Sequence, residues 1–483
     1  MKEFRLKAQE GVVLPVVVIL ALALAITGIA FLNAGVMENS LARREVYKNQ
    51  AFYLAEAGLE ELKVRLNSGE DEPQILETLL GEGDYKVDGF YAEIPPSYPY
   101  AISTGRVIKN TQEILRKIKV TINEEGVFDY AIFADKSMRM TGHAAEYKVS
   151  SYHSGILGYP ADEATIGTNG NQANAMDLGN SLINGWAKVG PGADLEEAIT
   201  LGPNGEITQG TDWISHKRPM PIIIPAGVES LPDMGSLTIS GEGVYLSESG
   251  SYSSITIGGV ATQEFAADGG STYWVGPAPM VPESETIRVE ERDPINGVVV
   301  STTPMAPGAD YVIDYNTGEI TFLLVPPIPE TSPGGNNNYI MVTIKSNLVI
   351  DADCLLAVET LTVHGGGSVI ITENTTATFY ITQEIKIGGN GFVNESGIAS
   401  QLRIYGGANC SNVEIGGTPD FYGVIYAPKA SIVCNGTNDI YGSLVGEEVT
   451  VKGTPNIFWD AALKDDDSLP PVRTLENWEE VFS

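Results

Sequence analysis

The acidic and basic side chains with the best prospects for catalysis lie in the last third of the chain. Asp351, Asp353 and Asp420 have Arg403 and Lys386 nearby in sequence. Clustered carboxylates beside a base would suit general acid–base chemistry on a polysaccharide. These acids follow no defined spacing, and 62 of the 483 residues are Asp or Glu, so chance neighbours are expected. The sequence therefore predicts no catalytic site, and a β-helical polysaccharide-active enzyme is the least favoured alternative.

Thiol and imidazole groups form no metal-binding or nucleophilic pattern either. The histidines are scattered and never stand at ligand spacing: His143, His153, His216 and His364. The cysteines are three, Cys354, Cys410 and Cys434, which excludes a complete disulfide framework. One bridge plus one thiol and three buried thiols both stay open, and the strand-like surroundings of Cys434 favour buried thiols. We expect no cofactor and no metal.

Composition indicates a chain of several domains with an exported, β-rich body. The net charge is −33, from 29 basic and 62 acidic residues, which argues against nucleic-acid binding. The densest basic cluster, Arg116–Lys119, alternates along a predicted strand and is explained by a solvated strand face. The 53 glycines suit short strands joined by tight turns.

An uncharged apolar segment near the N-terminus predicts a membrane-spanning helix. It covers residues 12–32 and follows a short charged leader, residues 1–11. About 20 apolar residues in a helix are enough to cross the hydrocarbon core of a bilayer. Lys2, Arg5 and Lys7 precede it, as the positive-inside rule requires of a cytoplasmic side.

The same helix is predicted to continue to residue 67 as an amphipathic segment. Small and apolar residues recur at three- and four-residue spacing, which places them on one face: Ala51, Leu54, Ala55, Gly58, Leu59, Leu62 and Leu66. A secretory signal peptide would leave this amphipathic continuation unexplained. An uncleaved signal anchor is the other alternative.

This N-terminal region resembles a type IV pilin precursor, and in particular a PilX-like minor pilin. The most specific part of the resemblance is the motif QAFYLAEAGLE at residues 50–60. The resemblance implies that a prepilin peptidase cuts between Gly11 and Val12 and that the new N-terminus is methylated. It also implies that residues 12–67 lie in a filament core. The motif residues carried over are Ala51, Ala55, Glu56, Ala57, Gly58, Leu59 and Glu60.

The resemblance also implies partners and a location. The partners would be other major and minor pilins through the helix, the prepilin peptidase and the inner-membrane assembly platform. The chain would be a single-pass protein of the cytoplasmic membrane before assembly, and its head would then lie outside the cell on a pilus. Most major pilins carry Glu five residues into the mature chain, where this sequence has Val16. The departure favours a minor, tip-located subunit over a major one.

A small antiparallel sheet is predicted after the helix, over residues 84–123. Three segments alternate apolar and polar residues: 85–94, 100–108 and 113–122. Such a sheet would cover the apolar stripe of the helix.

Glycine spacing in the body predicts a β-solenoid, that is a parallel β-helix, in two parts, residues 127–262 and 346–463. One set of glycines, Gly389, Gly406, Gly423 and Gly442, has spacings of 17, 17 and 19 residues, and a second set comprises Gly417, Gly436 and Gly453. A period near 18 residues is typical of stacked β-strand turns with glycine at the corners. A β-sandwich with coincidental spacing is the alternative.

The last block of the body, residues 421–463, resembles the C-terminal β-helical domain that often follows PilX-like helices. It has Phe458-Trp459-Asp460 where that family commonly has His-Tyr-Asp. We expect the aromatic pair to form a hydrophobic cap on the last turn of the solenoid.

Two further segments are predicted. Residues 263–345 read as an inserted β-sandwich-like module with Pro-rich edges and a hairpin at Tyr311–Phe322 (YVIDYNTGEITF). Residues 464–483 read as an acidic, Pro-containing linker and tail, in which Trp478 and Phe482 would cover the end of the solenoid.

Together these expectations give a mixed fold: a long N-terminal helix, a small antiparallel sheet, and a large β-helical head with an inserted module. The predicted function is a structural minor pilin of a type IV pilus, or of a type II secretion-like pseudopilus, that primes assembly or adheres through its head. A surface structure or a polysaccharide is the expected ligand of the head, and no nucleic acid is expected. A membrane-anchored, non-pilus surface adhesin is the main alternative.

Overall fold

The computed structural model of the chain describes residues 13–67, 75–91, 100–109, 112–141, 148–214, 217–267, 272–275, 284–292, 298–315, 317–323, 337–466 and 471–481. The chain forms two compact units. Unit 1 consists of residues 1–124 and 473–483, and unit 2 of residues 125–472. Unit 2 is therefore inserted, in sequence, between two parts of unit 1.

Unit 1 combines one long helix with an antiparallel sheet. Helix α1 runs without interruption from Val13 to Asn67, and its 55 residues span about 80 Å. Four successive strands follow and pair in order: β1 (Ile75–Leu80), β2 (Gly83–Tyr91), β3 (Tyr100–Lys109) and β4 (Gln112–Gly126). The predicted helix is confirmed, and so is the antiparallel pairing of the three strands predicted after it. Strand β1 is a fourth strand, which was not predicted.

The first part of unit 2 consists of short strands that pair in parallel. They are β5 (Ile132–Thr141), β6 (Lys148–Tyr152), β7 (Ile166–Thr168), β8 (Met176–Gly179), β9 (Leu182–Ile183), β10 (Trp186–Val189), β11 (Ile199–Leu201), β12 (Glu206–Ile207) and β13 (Gly210–Trp213). A single-turn helix, α2 (Leu195–Ala198), lies between β10 and β11. Strands β5 and β6 pair with β7, β8 and β9, which pair in turn with β10, β11 and β12.

A second run of parallel strands begins with β14 (Asp233–Ile239), β15 (Gly243–Leu246) and β16 (Gly250–Ile257). It is then interrupted by seven strands that form two antiparallel sheets, which we call the inserted module. These are β17 (Val260–Ala266), β18 (Thr272–Trp274), β19 (Glu285–Arg292), β20 (Val299–Pro304), β21 (Tyr311–Asp314), β22 (Glu319–Phe322) and β23 (Asn337–Lys345).

The inserted module has its own core. One sheet has the order β17-β23-β19-β20 and the other the order β18-β22-β21. Buried side chains from both sheets pack together, among them Ile287, Val342, Tyr273 and Ile320. The predicted hairpin at residues 311–322 is confirmed, because β21 and β22 pair antiparallel from Tyr311↔Phe322 to Asp314↔Glu319.

The second run resumes after the module. Its strands are β24 (Asn347–Ile350), β25 (Cys354–Val363), β26 (Ser368–Ile371), β27 (Ala377–Ile387), β28 (Phe392–Asn394), β29 (Leu402–Gly406), β30 (Asn412–Ile415), β31 (Phe421–Gly436), β32 (Ile440–Gly453) and β33 (Ile457–Asp460). These strands pair in parallel from one repeat to the next, as in Phe421↔Ile440 and Ile432↔Val449. One continuous core fills the interior.

The two runs of parallel strands do not stack in chain order. Strand β32 pairs with β5 at Leu444↔Ile132, and β33 pairs with β6 at Ile457↔Val149. The last strands of unit 2 thus lie against its first strands, and we call this junction the seam. In the described residues, β13 pairs only with β10 and β14 only with β16, so the free ends of the stack are β13 and β14.

The seam corrects the expected position of Phe458-Trp459. Trp459 is fully buried, and its indole Nε1 donates a hydrogen bond to the carbonyl of Phe128 at 2.8 Å. The aromatic pair therefore lies inside the stack rather than on its end. Every strand in a parallel stack offers the same hydrogen-bonding groups along its edge. The last strand of the sequence repeats can therefore pair with a further strand, here β6, instead of forming the end of the stack.

A connecting segment makes this order possible. Residues 217–232 lead from β13 to β14, which are the two free ends. At its start, the main chain of Arg218 exchanges two hydrogen bonds with the Asn169 side chain, both at 2.8 Å. Further along, Tyr426 Oη donates to the Pro221 carbonyl at 2.8 Å, and Val228 packs against the core.

The C-terminal segment also differs from the prediction. Residues Pro471–Val481 form a strand, β34, that lies beside β4 as the fifth strand of the unit 1 sheet. Arg116 and Glu480 form an ion pair at 2.9 Å across these two strands. Residues Pro471–Val481 therefore belong to the sheet of unit 1, and Phe482, the other residue of the predicted contact, lies outside the described residues. The Asp run, Pro470 before the strand and Pro471 at its first position made a strand hard to recognise in the sequence.

Candidate functional site

The first half of α1 is apolar on all sides and is not covered by the other described residues. Leu14, Leu24 and Phe31 are 68–75% exposed, and no residue of its most apolar window is buried. Among the described residues, α1 is the one helix that is long and apolar enough to cross a membrane. A helix that is apolar all round needs an apolar environment, which the part of the chain that the structure describes does not supply to it.

The second half of α1 packs on the unit 1 sheet along the predicted stripe. Six of its side chains are at most 7% exposed: Ala51, Leu54, Ala55, Leu59, Leu62 and Leu66. They join buried residues of the sheet, including Val87, Val107 and Val120, in a single cluster. The prediction of an apolar face at this spacing is confirmed.

Two glycines set how closely this half of α1 approaches the sheet. A Cβ atom on Gly105 in β3 would lie 1.9 Å from the Ala51 carbonyl oxygen and 2.6 Å from the Ala55 nitrogen. A Cβ atom on Gly58 in α1 would lie 2.5 Å from Ser103 Oγ. Sequence reasoning missed Gly105, although a glycine inside a predicted strand is a recognised signal of close backbone approach.

A polar group at the border of this interface holds the helix to β2. Tyr85 Oη donates to Glu61 Oε2 at 2.7 Å, and the guanidinium of Arg65 pairs with Glu61 Oε1. The hydrogen bond from Tyr85 and the pair with Arg65 lower the pKa of Glu61 below its ordinary 4.5, against the effect of burial. The ionised carboxylate therefore contributes to docking.

The predicted motif residues divide between two environments. Ala51, Ala55, Gly58 and Leu59 are buried in unit 1 itself. Glu56 and Ala57 are half-buried and Glu60 is exposed, so this group remains accessible to another molecule. The predicted processing residues, Gly11 and Val12, lie outside the described residues.

The acids and bases considered for catalysis are used in local bonds at turns and strands of unit 2. Asp353 accepts a hydrogen bond from the Thr376 nitrogen at 2.7 Å, and Asp420 from the Asp439 nitrogen at 2.9 Å. Asp351 accepts from Ser247 Oγ. Arg403 Nε donates to the Ser400 carbonyl, and Lys386 pairs with Glu384. Within the described part of the chain, no group of three His, Cys, Asp or Glu side chains could hold a metal.

The Asp420 contact belongs to a ladder that the sequence analysis did not find. Asp439 Oδ1 accepts from the Asn456 nitrogen at 2.9 Å, and Asn456 Oδ1 from the Lys148 nitrogen at 3.3 Å. Each rung joins one repeat to the next, and the last rung crosses the seam. Beside it, the rings of Tyr422, Tyr441 and Phe458 stack at 4.3 and 4.7 Å. The recurrence of Asp and aromatic residues at matching positions of successive repeats is the sequence pattern that could have predicted this ladder.

The three cysteines are free and buried, as the sequence favoured. Burial in the apolar stack raises the pKa of the Cys410 thiol to about 11 and those of Cys354 and Cys434 to about 12. Buried thiols with raised pKa values are poor nucleophiles and poor metal ligands, so they serve here as small apolar core residues.

The last part of unit 2 matches a family model. A family model described as "Domain of unknown function (DUF7305)" matches residues 338–466, about a quarter of the chain. No curated protein matches the chain. The crystal structure of the competence-associated pilin ComZ from Thermus thermophilus aligns over 90% of this chain and 98% of its own, at 12% identity and a TM-score of 0.21. An alignment at that score does not establish a shared fold.

Proposed function

We propose that this chain is a pilin-type subunit of an extracellular filament, anchored in a membrane before assembly. The observation that carries the proposal is the division of α1. One uninterrupted helix has a first half that is apolar and uncovered and a second half that is seated on its own sheet. A helix of this kind can leave a lipid environment for an apolar filament core without refolding, because its own globular unit does not hold its first half.

The proposal includes processing and a position at the filament tip. Cleavage by a prepilin peptidase between Gly11 and Val12 would give a mature chain that begins with the apolar half of α1. Val16 takes the place of the Glu that most major pilins carry, which favours a minor subunit without a pairing partner above it. Unit 2, with 348 residues, is too large to be repeated along a tightly packed shaft. The type IV pilus and the type II secretion pseudopilus both fit this proposal.

We further propose that the stacked strands of unit 2 form a parallel β-helix that serves as a rigid scaffold. Parallel pairing from repeat to repeat, the Asp and Asn ladder and the stacked aromatic rings support this interpretation. Corner glycines support it as well: Gly417, Gly436 and Gly453 have φ values of 123°, 156° and 90°. A Cβ atom on Gly453 would lie 2.0 Å from the Gly436 carbonyl oxygen of the neighbouring repeat.

We propose a binding role rather than a catalytic one for unit 2. Asp351, Asp353 and Asp420 already accept hydrogen bonds from within the chain, and these bonds hold turns and strands together. A scaffold of this kind can display an adhesive surface, and its inserted module is a natural place for one because loops on a rigid framework commonly carry recognition.

Substitution of the residue before the proposed cleavage point tests this function. Gly11→Ala in the native cells is expected to leave the leader attached and to keep the chain in the membrane fraction. A Glu10→Ala variant serves as the matched control and should be processed normally. Normal processing and normal filament incorporation of Gly11→Ala would contradict the proposal and favour a membrane-anchored surface adhesin.

A further inference from the structure

The outer face of the three-stranded sheet in the inserted module combines an exposed indole with carboxylates and hydroxyls. Its inner face is apolar and packs into the module core through Tyr273, Ile320 and Phe322. Side chains alternate along a strand, so the residues between them point away from that core.

Cross-strand pairing arranges the outer face in two rows. Trp274 pairs with Glu319, and Glu319 with Asp314, so an indole and two carboxylates share one row. The adjacent row consists of Thr272, Thr321 and Val312 in the same way. With strands about 4.8 Å apart, each row crosses the sheet over about 10 Å.

Trp274 is the most exposed of the five tryptophans. Its exposed fraction is 62%, against 48% for Trp213 and 45% for Trp478. The indole Nε1 atoms of the latter two donate to the carbonyls of Ala193 and Leu475, whereas Trp274 Nε1 has no hydrogen-bond partner within the described part of the chain. An exposed indole gains little from folding and keeps its ring face and N–H available, and tryptophan is enriched at binding surfaces for this reason.

The sheet that carries this face is held firmly in place. Tyr311 Oη and Tyr315 Oη both donate to Glu285 Oε1 in the other sheet of the module, at 3.2 and 3.1 Å. Burial and the nearby Glu285 carboxylate raise the pKa of Tyr311, which keeps its phenol protonated as a donor. A fixed platform binds with a smaller loss of conformational entropy than a mobile one.

We propose that this face, Trp274-Glu319-Asp314 with Thr272, Thr321 and Val312, binds a chain of uncharged sugars. The C–H bonds on one face of a pyranose ring pack on the negative face of an indole. Carboxylates accept hydrogen bonds from the sugar hydroxyls, and threonine hydroxyls can donate or accept. Stacking and hydrogen bonding in one row match the alternation of apolar faces and hydroxyl edges along a polysaccharide.

Charge determines which class of polysaccharide fits. The described residues of strands β18, β21 and β22 include two acids and no Lys, Arg or His. The whole chain carries a net charge of −33. An anionic polysaccharide would be repelled at both scales, so the expected ligand is a neutral hexose or N-acetylhexosamine chain. The inference relies on the proposed function only for the display of this face outside the cell.

Affinity electrophoresis of the full-length protein tests the proposal. The protein would be kept in octaethylene glycol dodecyl ether, because maltoside detergents carry a sugar. Native gels would contain laminarin, hydroxyethyl cellulose, mannan or glycol chitin, with alginate as the anionic control. We expect at least one neutral polysaccharide to retard the wild-type protein, and alginate not to.

Variants assign the retardation to the proposed face. Trp274→Ala is expected to weaken the apparent affinity at least tenfold, and Glu319→Gln about threefold. Trp478→Ala is the matched control, an exposed tryptophan of unit 1, and should bind as wild type does. Trp274→Phe keeps a ring on the sheet and should bind with intermediate affinity, which separates loss of stacking from loss of folding.

Three results would overturn the inference: no retardation by any of the neutral polysaccharides, equal retardation by alginate, or wild-type binding by Trp274→Ala. Filament incorporation of Trp274→Ala, measured in parallel, is expected to be unchanged. Loss of polysaccharide binding would therefore leave the proposed filament function intact. An unprocessed leader would contradict the filament function without affecting polysaccharide binding.

Discussion

Both halves of α1 contain leucine and glycine residues, but the first half is exposed and the second half is packed on the sheet. Leu24 in the first half is 68% exposed, and Leu59 in the second half is fully buried. Gly28 has open space around it, whereas Gly58 faces Ser103 and Tyr85. The number of apolar residues therefore does not decide which half packs on the sheet. The decisive feature is a stripe of small residues that meets Gly105 on the opposing strand.

The largest expected effect comes from closing that contact. Gly105→Ala would place a Cβ atom 1.9 Å from the Ala51 carbonyl oxygen, so α1 would have to move away from β3. We expect a loss of about 3 kcal/mol or more in the stability of unit 1. Hydrogen exchange of α1 and β2–β4 amides measures it. Gly35→Ala is the control, because a Cβ atom there meets nothing within 4 Å, and it should not reduce the protection of these amides from exchange. Equal protection in the two variants would contradict the close approach of α1 to β3.

Truncation of one leucine in each half compares the halves directly. Leu59→Ala removes a fully buried side chain and is expected to cost unit 1 about 3 kcal/mol in thermal or denaturant unfolding. Leu24→Ala alters an exposed side chain and should leave the unfolding of unit 1 unchanged. If the two variants lost equal stability, the first half of α1 would be part of the globular core and the division proposed here would be wrong.

A charge in the first half is expected to act on the membrane and not on the fold. Leu24→Arg places a cation near the middle of the apolar segment, which disfavours membrane insertion by about 2.5 kcal/mol. The fraction of chain resistant to alkaline extraction from membranes should fall, and filament incorporation with it. Tyr53→Arg, at a 66% exposed position in the second half, is the control and should remain membrane-bound.

The smallest effect is a pH dependence at the border of the docked half. Because the pKa of Glu61 is lowered on folding, its contribution to stability is present at neutral pH and is lost as pH falls below 4.5 through the folded pKa. Glu61→Gln is expected to reduce stability at pH 7 by about 1 kcal/mol and to flatten the acid limb of the unfolding curve. Glu60→Gln, at the exposed neighbour, should follow the wild-type curve.

Local periodicity was sufficient to predict α1 and strands β2, β3 and β4 of unit 1, but not β1. The three- and four-residue spacing from Ala51 to Leu66 identified the buried face, and alternation identified β2, β3 and β4. The C-terminal strand β34 could not be predicted in the same way, because its pairing with β4 joins segments some 360 residues apart in sequence.

Repeat spacing in unit 2 predicted several strands that pair in parallel, but not their order in space. Of the seven glycines behind that prediction, five have positive φ values, whereas Gly406 and Gly423 do not and lie in strands β29 and β31. The seam between β32 and β5 was not visible, because the parallel edges of all repeats offer the same hydrogen-bonding groups. The buried hydrogen bond from Trp459 to Phe128 is specific to the seam, and neither residue reveals the other in sequence.

The candidate sites were predictable to different degrees. Gly11 and Val12 were proposed from the resemblance of the leader and helix and stay a prediction. The face around Trp274 could not be predicted from the sequence. Trp274, Glu319 and Asp314 come from three different strands, and only the pairing between those strands brings them together. An isolated tryptophan in sequence carries no information on its neighbours in a sheet.

N-terminal mass spectrometry of this chain in filaments sheared from native cells distinguishes a filament subunit from a membrane anchor. Under the proposed function we expect a chain that begins with N-methylated Val12, enriched in the sheared fraction, because the uncovered half of α1 is built into a filament. A chain that keeps Met1 and its leader and is found only in the membrane fraction would contradict it, and would identify the apolar half of α1 as a permanent membrane anchor.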